Sequence, residues 1–189
     1  MLRKVDVRVL GIDPGSRFTG WGIVDVQGSK IRPVASGVIE AGDGPFVSRM
    51  VVIGDALDEI IKKHKPDEAA VEAIFHSKNS QSALKLGHAR GVALLSIGRA
   101  GIALAEYPPA RIKQSVAGHG RASKDQVQQM VRMLLGQTEP YLEDESDALA
   151  AALCHVQMVG SPTSRLLADM ERNLPRKSKQ PRPRRGRQS

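Results

Sequence analysis

Four carboxylates in this chain fall where they could act as one site. Asp13 closes an alternating apolar run from Val5 to Ile12, and Glu72 closes the short run Ala69 to Val71. Both runs read as strands. If those strands are neighbours, their terminal carboxylates lie about 5 Å apart, one strand spacing. Asp144 and Asp147 are three residues apart at the start of a last helical stretch, so they share one side of it. Two strand-end acids facing two helix acids make a hard, oxygen-rich donor set, suited to Mg2+ or Mn2+. Two such ions about 3.5–4 Å apart can clamp a phosphodiester for hydrolysis.

Each acid also has an ordinary role open to it. Asp13 in Asp13–Pro14–Gly15 can initiate a turn. Asp144 can be a helix N-cap, and Asp147 a first-turn acid favoured by the helix dipole. Glu72 is harder to explain this way, because a buried acid is costly unless it is paired. The argument rests on four acids fitting one site, not on any one of them.

The elements that must position these acids follow from pattern. Val5 to Ile12, Thr19 to Val26 and Ile31 to Ile39 read as strands joined by short turns, hence an antiparallel meander, with Pro33 marking a strand start or an exposed edge. Phe46, Met50, Ile53, Leu57, Ile60, Ile61 and His64 recur at helical steps, and Pro66 ends that helix. Ala69 to Glu72 is a fourth strand, Asn79 to Gly98 a helix, and Ile102 to Ala105 a fifth strand. Pro108 to Ala117 is helical, and Ser123 with Gln126 forms a capping box for a helix to about Leu135. The last helix puts Leu149, Ala152, Leu153 and Val156 on its buried face. Strands reached through crossover helices pair in parallel. The result is an α/β domain with a mixed five-stranded sheet flanked by helices, and its element order resembles the ribonuclease-H-like fold.

The chain has 189 residues and a net charge of +8. Seven basic residues and no acid lie beyond Leu174, so the rest holds 21 basic against 20 acidic residues. The expected organisation is a nuclease domain over residues 1–160 and a basic, disordered tail over 161–189, too rich in Pro and Arg to bury a core. Cys154 is the single cysteine, which excludes an internal disulfide and fits a reducing cytoplasm. Neither a signal-peptide pattern nor an apolar run long enough to span a membrane is present, so a membrane partner is not expected.

The segments LGIDPGSRFTGWGI, AVEAIFHSKNSQSALKLGHARG, RIKQSVAGHGRASKDQVQQMV and EDESDALAAALCH closely resemble those of the RuvC family, the bacterial Holliday-junction resolvases. The resemblance runs from about Val7 to His155 in one order. It places the family's catalytic, metal-binding acids on Asp13, Glu72, Asp144 and Asp147. It implies a homodimer with two clefts on a four-way DNA junction. It also implies symmetric Mg2+-dependent nicks in homologous recombination and DNA repair, and cooperation with the RuvA and RuvB branch-migration proteins.

Four further residues are candidate DNA contacts. Phe75, in a polar stretch just after Glu72, can stack on an unpaired base; family members use an aromatic there in that way. Lys78, Lys113 and Lys124 are candidate phosphate contacts, and the resemblance favours Lys113 and Lys124. The ordinary alternatives are a core phenylalanine and solvated surface lysines. His119 is either a DNA contact or a loop histidine. Ala83, Gly87 and Gly91 leave a narrow groove on one helix face, which packs on its own sheet or meets a partner helix; the resemblance favours the partner. Cys154 beside His155 is a core thiol, since adjacent helical residues do not face each other. Two other functions compete with this reading. An actin-like ATPase would account for Asp13–Pro14–Gly15 but needs a second lobe and a second Gly-rich loop. A non-catalytic DNA-binding module explains the tail but not four acids.

Overall fold

The computed structural model describes residues 7–73 and 80–160, and those up to Met158 form one compact unit. Strands β1 (Val7–Asp13), β2 (Phe18–Gln27) and β3 (Lys30–Glu40) come first, followed by helix α1 (Phe46–His64). Then come β4 (Glu68–Glu72), α2 (Ser80–Arg99), β5 (Ala103–Tyr107), α3 (Pro109–Ala117), α4 (Lys124–Leu134) and α5 (Glu143–Gly160). The five strands form one sheet in the order β3-β2-β1-β4-β5. β1 pairs antiparallel with β2, and β2 with β3; β4 is parallel to both β1 and β5. This is the mixed sheet expected from element order, with β5 starting one residue later than its pattern suggested.

Strand alternation sorts side chains between two cores. Leu10, Ile12, Ile23, Ala69 and Val71 face α1 and α2, where they meet Ile53, Leu57, Ile61, Ala89, Ala93 and Ile97. Val9, Val24 and Ala70 face the other way, onto α5, behind which α3 and α4 supply Ile112, Val116, Val127 and Val131. Helix α5 is therefore enclosed, and Ala148 to His155 are all buried. The single buried stripe expected for this helix is replaced by burial all round. Ala148, Ala150, Ala151 and Ala152 make that possible, because their small side chains fit between sheet and outer helices.

Local signals explain the ends of the elements. Ser123 accepts from the Gln126 backbone N–H while the Gln126 side chain accepts from the Ser123 N–H, so the expected capping box forms. Helix α1 stops where Lys65 turns left-handed at φ 50°, ahead of Pro66. Pro33 lies on the edge strand, beside the irregularity between Ile23 and Val24 at which Val34 is left without a partner.

Candidate active site

Period-two alternation decides where Asp13 and Glu72 point. β1 and β4 are parallel with Ile12 registered on Val71, so Asp13 and Glu72 are the next residues on each strand. Asp13 shares the face of Gly11 and Val9, and Glu72 that of Ala70, so both carboxylates rise toward α5. The sequence-based expectation that these two acids are neighbours is met.

Three glycines bring α5 down onto this face. A Cβ on Gly11 would stand 2.0 Å from the Ala148 carbonyl oxygen, and one on Gly20 would stand 1.9 Å from that of Asp144. One on Gly22 would meet Leu149 Cδ2 at 2.5 Å. The helix backbone thus lies directly on the strand backbones, which sets Asp144 and Asp147 over the ends of β1 and β4. Sequence reading missed these glycines. The signal was present, because isolated glycines inside a strand pattern mark close backbone approach.

The electrostatics report the convergence. Burial pushes the Asp13 carboxyl up to about 8, helped by the charges of Asp147, Glu72 and Asp144 against the opposing pull of Lys124. Burial likewise raises Glu72, with Asp147 adding to it and Lys113 and Lys124 opposing. Asp144 is raised by burial, by Glu143 and by Asp147, with Lys124 opposing. Like charges crowded in a half-buried site favour protonation unless a cation arrives.

The positive groups are placed to meet them. Lys124, just inside the N-terminus of α4, bridges Glu143 and Asp147, its ammonium 3.0 Å from Asp147. Burial works against that ammonium, but its hydrogen bonds to the two acids prevail and hold its pKa above the ordinary lysine value. Lys113 and Lys124 line a cleft of about 280 Å³ with Glu72, Asp147 and Pro109. A second cleft of about 150 Å³ opens on the other side of Glu72, lined by Asp13, Pro14, Leu86 and Arg90. Arg90 is ion-paired with Glu106, a pair that sequence reading did not single out.

The turn after Asp13 is closed by Thr19, which is fully buried: its hydroxyl donates to the Gly15 carbonyl at 2.7 Å and accepts from the Gly15 N–H at 3.3 Å. Asp144 is not the N-cap, since α5 already includes Glu143. Glu145 turns back instead, accepting from the Leu142 N–H at 3.0 Å. Phe75 and Lys78 lie outside the described residues, and His119 is an exposed loop residue between α3 and α4. Cys154 is buried, as expected of a core thiol.

The donor set suits a hard divalent cation by its chemistry: carboxylate oxygens only, in excess over the local positive charge. Among the described residues the acids are gathered but not closed into a finished cage, since no three of them converge on one point. Asp147 and Glu143 both engage the Lys124 ammonium.

On the outer side of α2, the alternative of packing on the chain's own sheet is excluded for two of its glycines. A Cβ on Gly87 or Gly91 would meet nothing within 4 Å, while Ala89, Ala93, Ser96 and Ile97 form the buried face. Leu84 and Leu95 are more than half exposed beside them. No helix among the described residues is long and apolar enough to cross a membrane.

Residues 9–155 match the family described as crossover junction endodeoxyribonuclease RuvC. A protein of that description from Alkalilimnicola ehrlichii is 50% identical over 89% of this chain and 97% of its own. One from Sorangium cellulosum is 47% identical over 96% and 99%. Among solved structures, T. thermophilus RuvC in complex with a Holliday junction substrate superposes with a TM-score of 0.75 at 37% identity, over 79% of this chain and 93% of that one. The architecture is the ribonuclease-H-like resolvase fold.

Proposed function

The chain belongs to the RuvC family of crossover junction endodeoxyribonucleases, and from that premise we propose that Asp13, Glu72, Asp144 and Asp147 are the carboxylates with which it cuts DNA. The activity is hydrolysis of phosphodiesters at four-way junctions, as the description of its relatives and the junction complex of its T. thermophilus relative indicate. The observation that carries the residue assignment is the seating of α5 on Gly11, Gly20 and Gly22, which faces two helix acids onto two strand-end acids.

The family is metal-dependent; the finer reading is two Mg2+ ions per site, replaceable by Mn2+. Bound there, divalent ions supply an activated water and charge stabilisation of the leaving oxygen. The chain's own residues do the rest. Asp13 and Glu72, on adjacent rigid strands, fix one side of the site. Asp144 and Asp147 fix the other from a helix that cannot tilt without separating from the glycine seat. Lys113 and Lys124, across the cleft from Glu72, attract the phosphate and oppose the negative charge of the acids. Phe75 and Lys78 complete the proposed DNA contacts, Phe75 by stacking on a base at the junction.

Pairing with a second copy belongs to the same proposal. Leu84, Gly87, Gly91 and Leu95 fall on one helical face, and the glycines leave room for close approach of another helix. Two copies would present two clefts to one junction and nick it symmetrically. Cooperation with RuvA and RuvB in recombination and repair, and a place in the cytoplasm, are carried by the family resemblance alone.

The test is a synthetic four-way junction with Mg2+ and mapped nick positions. Asp13→Asn, Glu72→Gln, Asp144→Asn and Asp147→Asn are each expected to abolish cleavage while junction binding persists, since each removes negative charge from a DNA-facing cleft. A variant that turns over normally would take its residue out of the site.

A further inference from the structure

The glycine seat brings α5 close to the sheet near its acidic end, where the Asp144 and Ala148 carbonyls stand over Gly20 and Gly11 and the Leu149 side chain over Gly22. Directed contacts lie two turns beyond the acids, at His155, which is 6% exposed. Its Nε2 is 2.7 Å from Glu68 Oε2, and its Nδ1 is 2.7 Å from the Tyr107 hydroxyl. A neutral imidazole satisfies both at once: Nε2–H donates to Glu68, and the Tyr107 hydroxyl donates to Nδ1.

The partners are informative. Glu68 opens the strand that Glu72 closes, and Tyr107 is the register partner of Glu72 on β5. His155 lies eight residues beyond Asp147, about 12 Å along a helix. Glu68 lies four residues before Glu72, about 13 Å along a strand. The two lengths match, so tying His155 to Glu68 at one end sets Asp147 opposite Glu72 at the other. Asp147 and Glu72 do share one cleft.

We infer that His155 is a positioning residue: held by Glu68 and Tyr107, it fixes the axial register of α5 and thereby the spacing between the helix carboxylates and those of β1 and β4. It touches neither substrate nor reacting atoms. The inference rests on the four-carboxylate site proposed above.

The test uses full-length protein and Mn2+ alone, with the dissociation constant measured by calorimetry without DNA, beside cleavage rate and melting temperature. Tyr107→Phe removes one hydroxyl and keeps the packing; it is expected to weaken Mn2+ binding about 10-fold, the scale on which loss of a supporting hydrogen bond acts. Glu68→Gln is expected to follow it, and His155→Leu to exceed both. His155→Gln offers one donor and one acceptor, and is expected to restore most of the affinity. Junction binding should be unchanged throughout. Folded Tyr107→Phe and Glu68→Gln proteins that hold Mn2+ and cleave within about twofold of wild type overturn the inference, and they decide it if His155→Leu does not fold. A His155→Gln protein as impaired as His155→Leu also overturns it. Asp13→Asn is the control for the underlying site: wild-type Mn2+ affinity in that variant would overturn the four-carboxylate reading instead.

Discussion

On one face of the sheet, Leu10, Ile12, Ile23 and Val71 interlock with Ile53, Leu57 and Ile97. On the other, the strands offer Gly11, Gly20, Gly22 and Ala70, and an alanine-rich helix lies on them backbone to backbone. The first face gains stability from side-chain volume, at about 25 cal/mol for each Å² of apolar surface buried. The second gives up volume for proximity, and the proximity crowds carboxylates that repel one another. One sheet thus carries two packing rules: the α1–α2 side interlocks by side-chain volume, and the α5 side, with Leu149, Leu153 and the outer helices closing its core, seats the helix near enough to keep like charges together.

Substitutions that exchange the two rules should separate the two outcomes. Gly20→Ala places a methyl where the Asp144 carbonyl now sits, so α5 must lift at its acidic end. Cleavage is expected to fall at least about 100-fold, the penalty that an ångström of misplacement can exact. Leu10→Ala, on the opposite face, is expected to cost about 2–5 kcal/mol in denaturant unfolding. Its surviving folded fraction should cleave at the wild-type rate. Equal loss of activity per folded molecule in both variants would erase the distinction between the faces.

The charge crowding gives a smaller, pH-dependent effect. Asp13 holds its proton up to about 8 in the folded chain, against 3.8 for its ordinary value. Between those limits the native state binds more protons than the unfolded state, so stability falls as pH rises from about 4 to about 8. In EDTA the melting temperature should therefore decline across that window, and Asp13→Asn should flatten the decline. Mg2+ should restore stability, most at the alkaline end, because binding requires ionised carboxylates. A melting temperature that climbs through the window in EDTA would contradict this.

The smallest effect concerns the basic C-terminal segment, which lies outside the described residues. Deleting residues 174–189 removes seven positive charges. If the tail binds duplex DNA, every phosphate it no longer neutralises should lower the salt slope of binding by about 0.9. Affinity at low salt should drop for junction and plain duplex alike, while nick positions persist. Loss of the folded state on truncation would show that the segment is part of the domain.

Much of this was legible in residue order. Asp13 and Glu72 were recognisable as neighbours because alternation and crossover length leave few sheet topologies. Ser123 and Gln126 announced their cap because that motif is local. The enclosure of α5 was not legible, because alanines suit an amphipathic helix and a fully buried one equally well. Nor was the capping of α5 by Glu145 in place of Asp144, where several adjacent acids compete for one N-terminus. Thr19 looked like an ordinary strand residue, and only its contact with Gly15 reveals it as the clasp of the Asp13 turn.

The rim of the sheet has its own consequence. β3 is eleven residues long, and an unprotected strand of that length would template a foreign strand or a fibril. Pro33 removes a donor from its ladder, the irregularity beside it interrupts the pairing, and exposed Lys30 and Arg32 bring charge to the rim. At the opposite rim β5 is only five residues long and carries Glu106. Growth by strand addition is therefore discouraged at both rims of this sheet, and among the described residues the surfaces open to self-association are those made of helix.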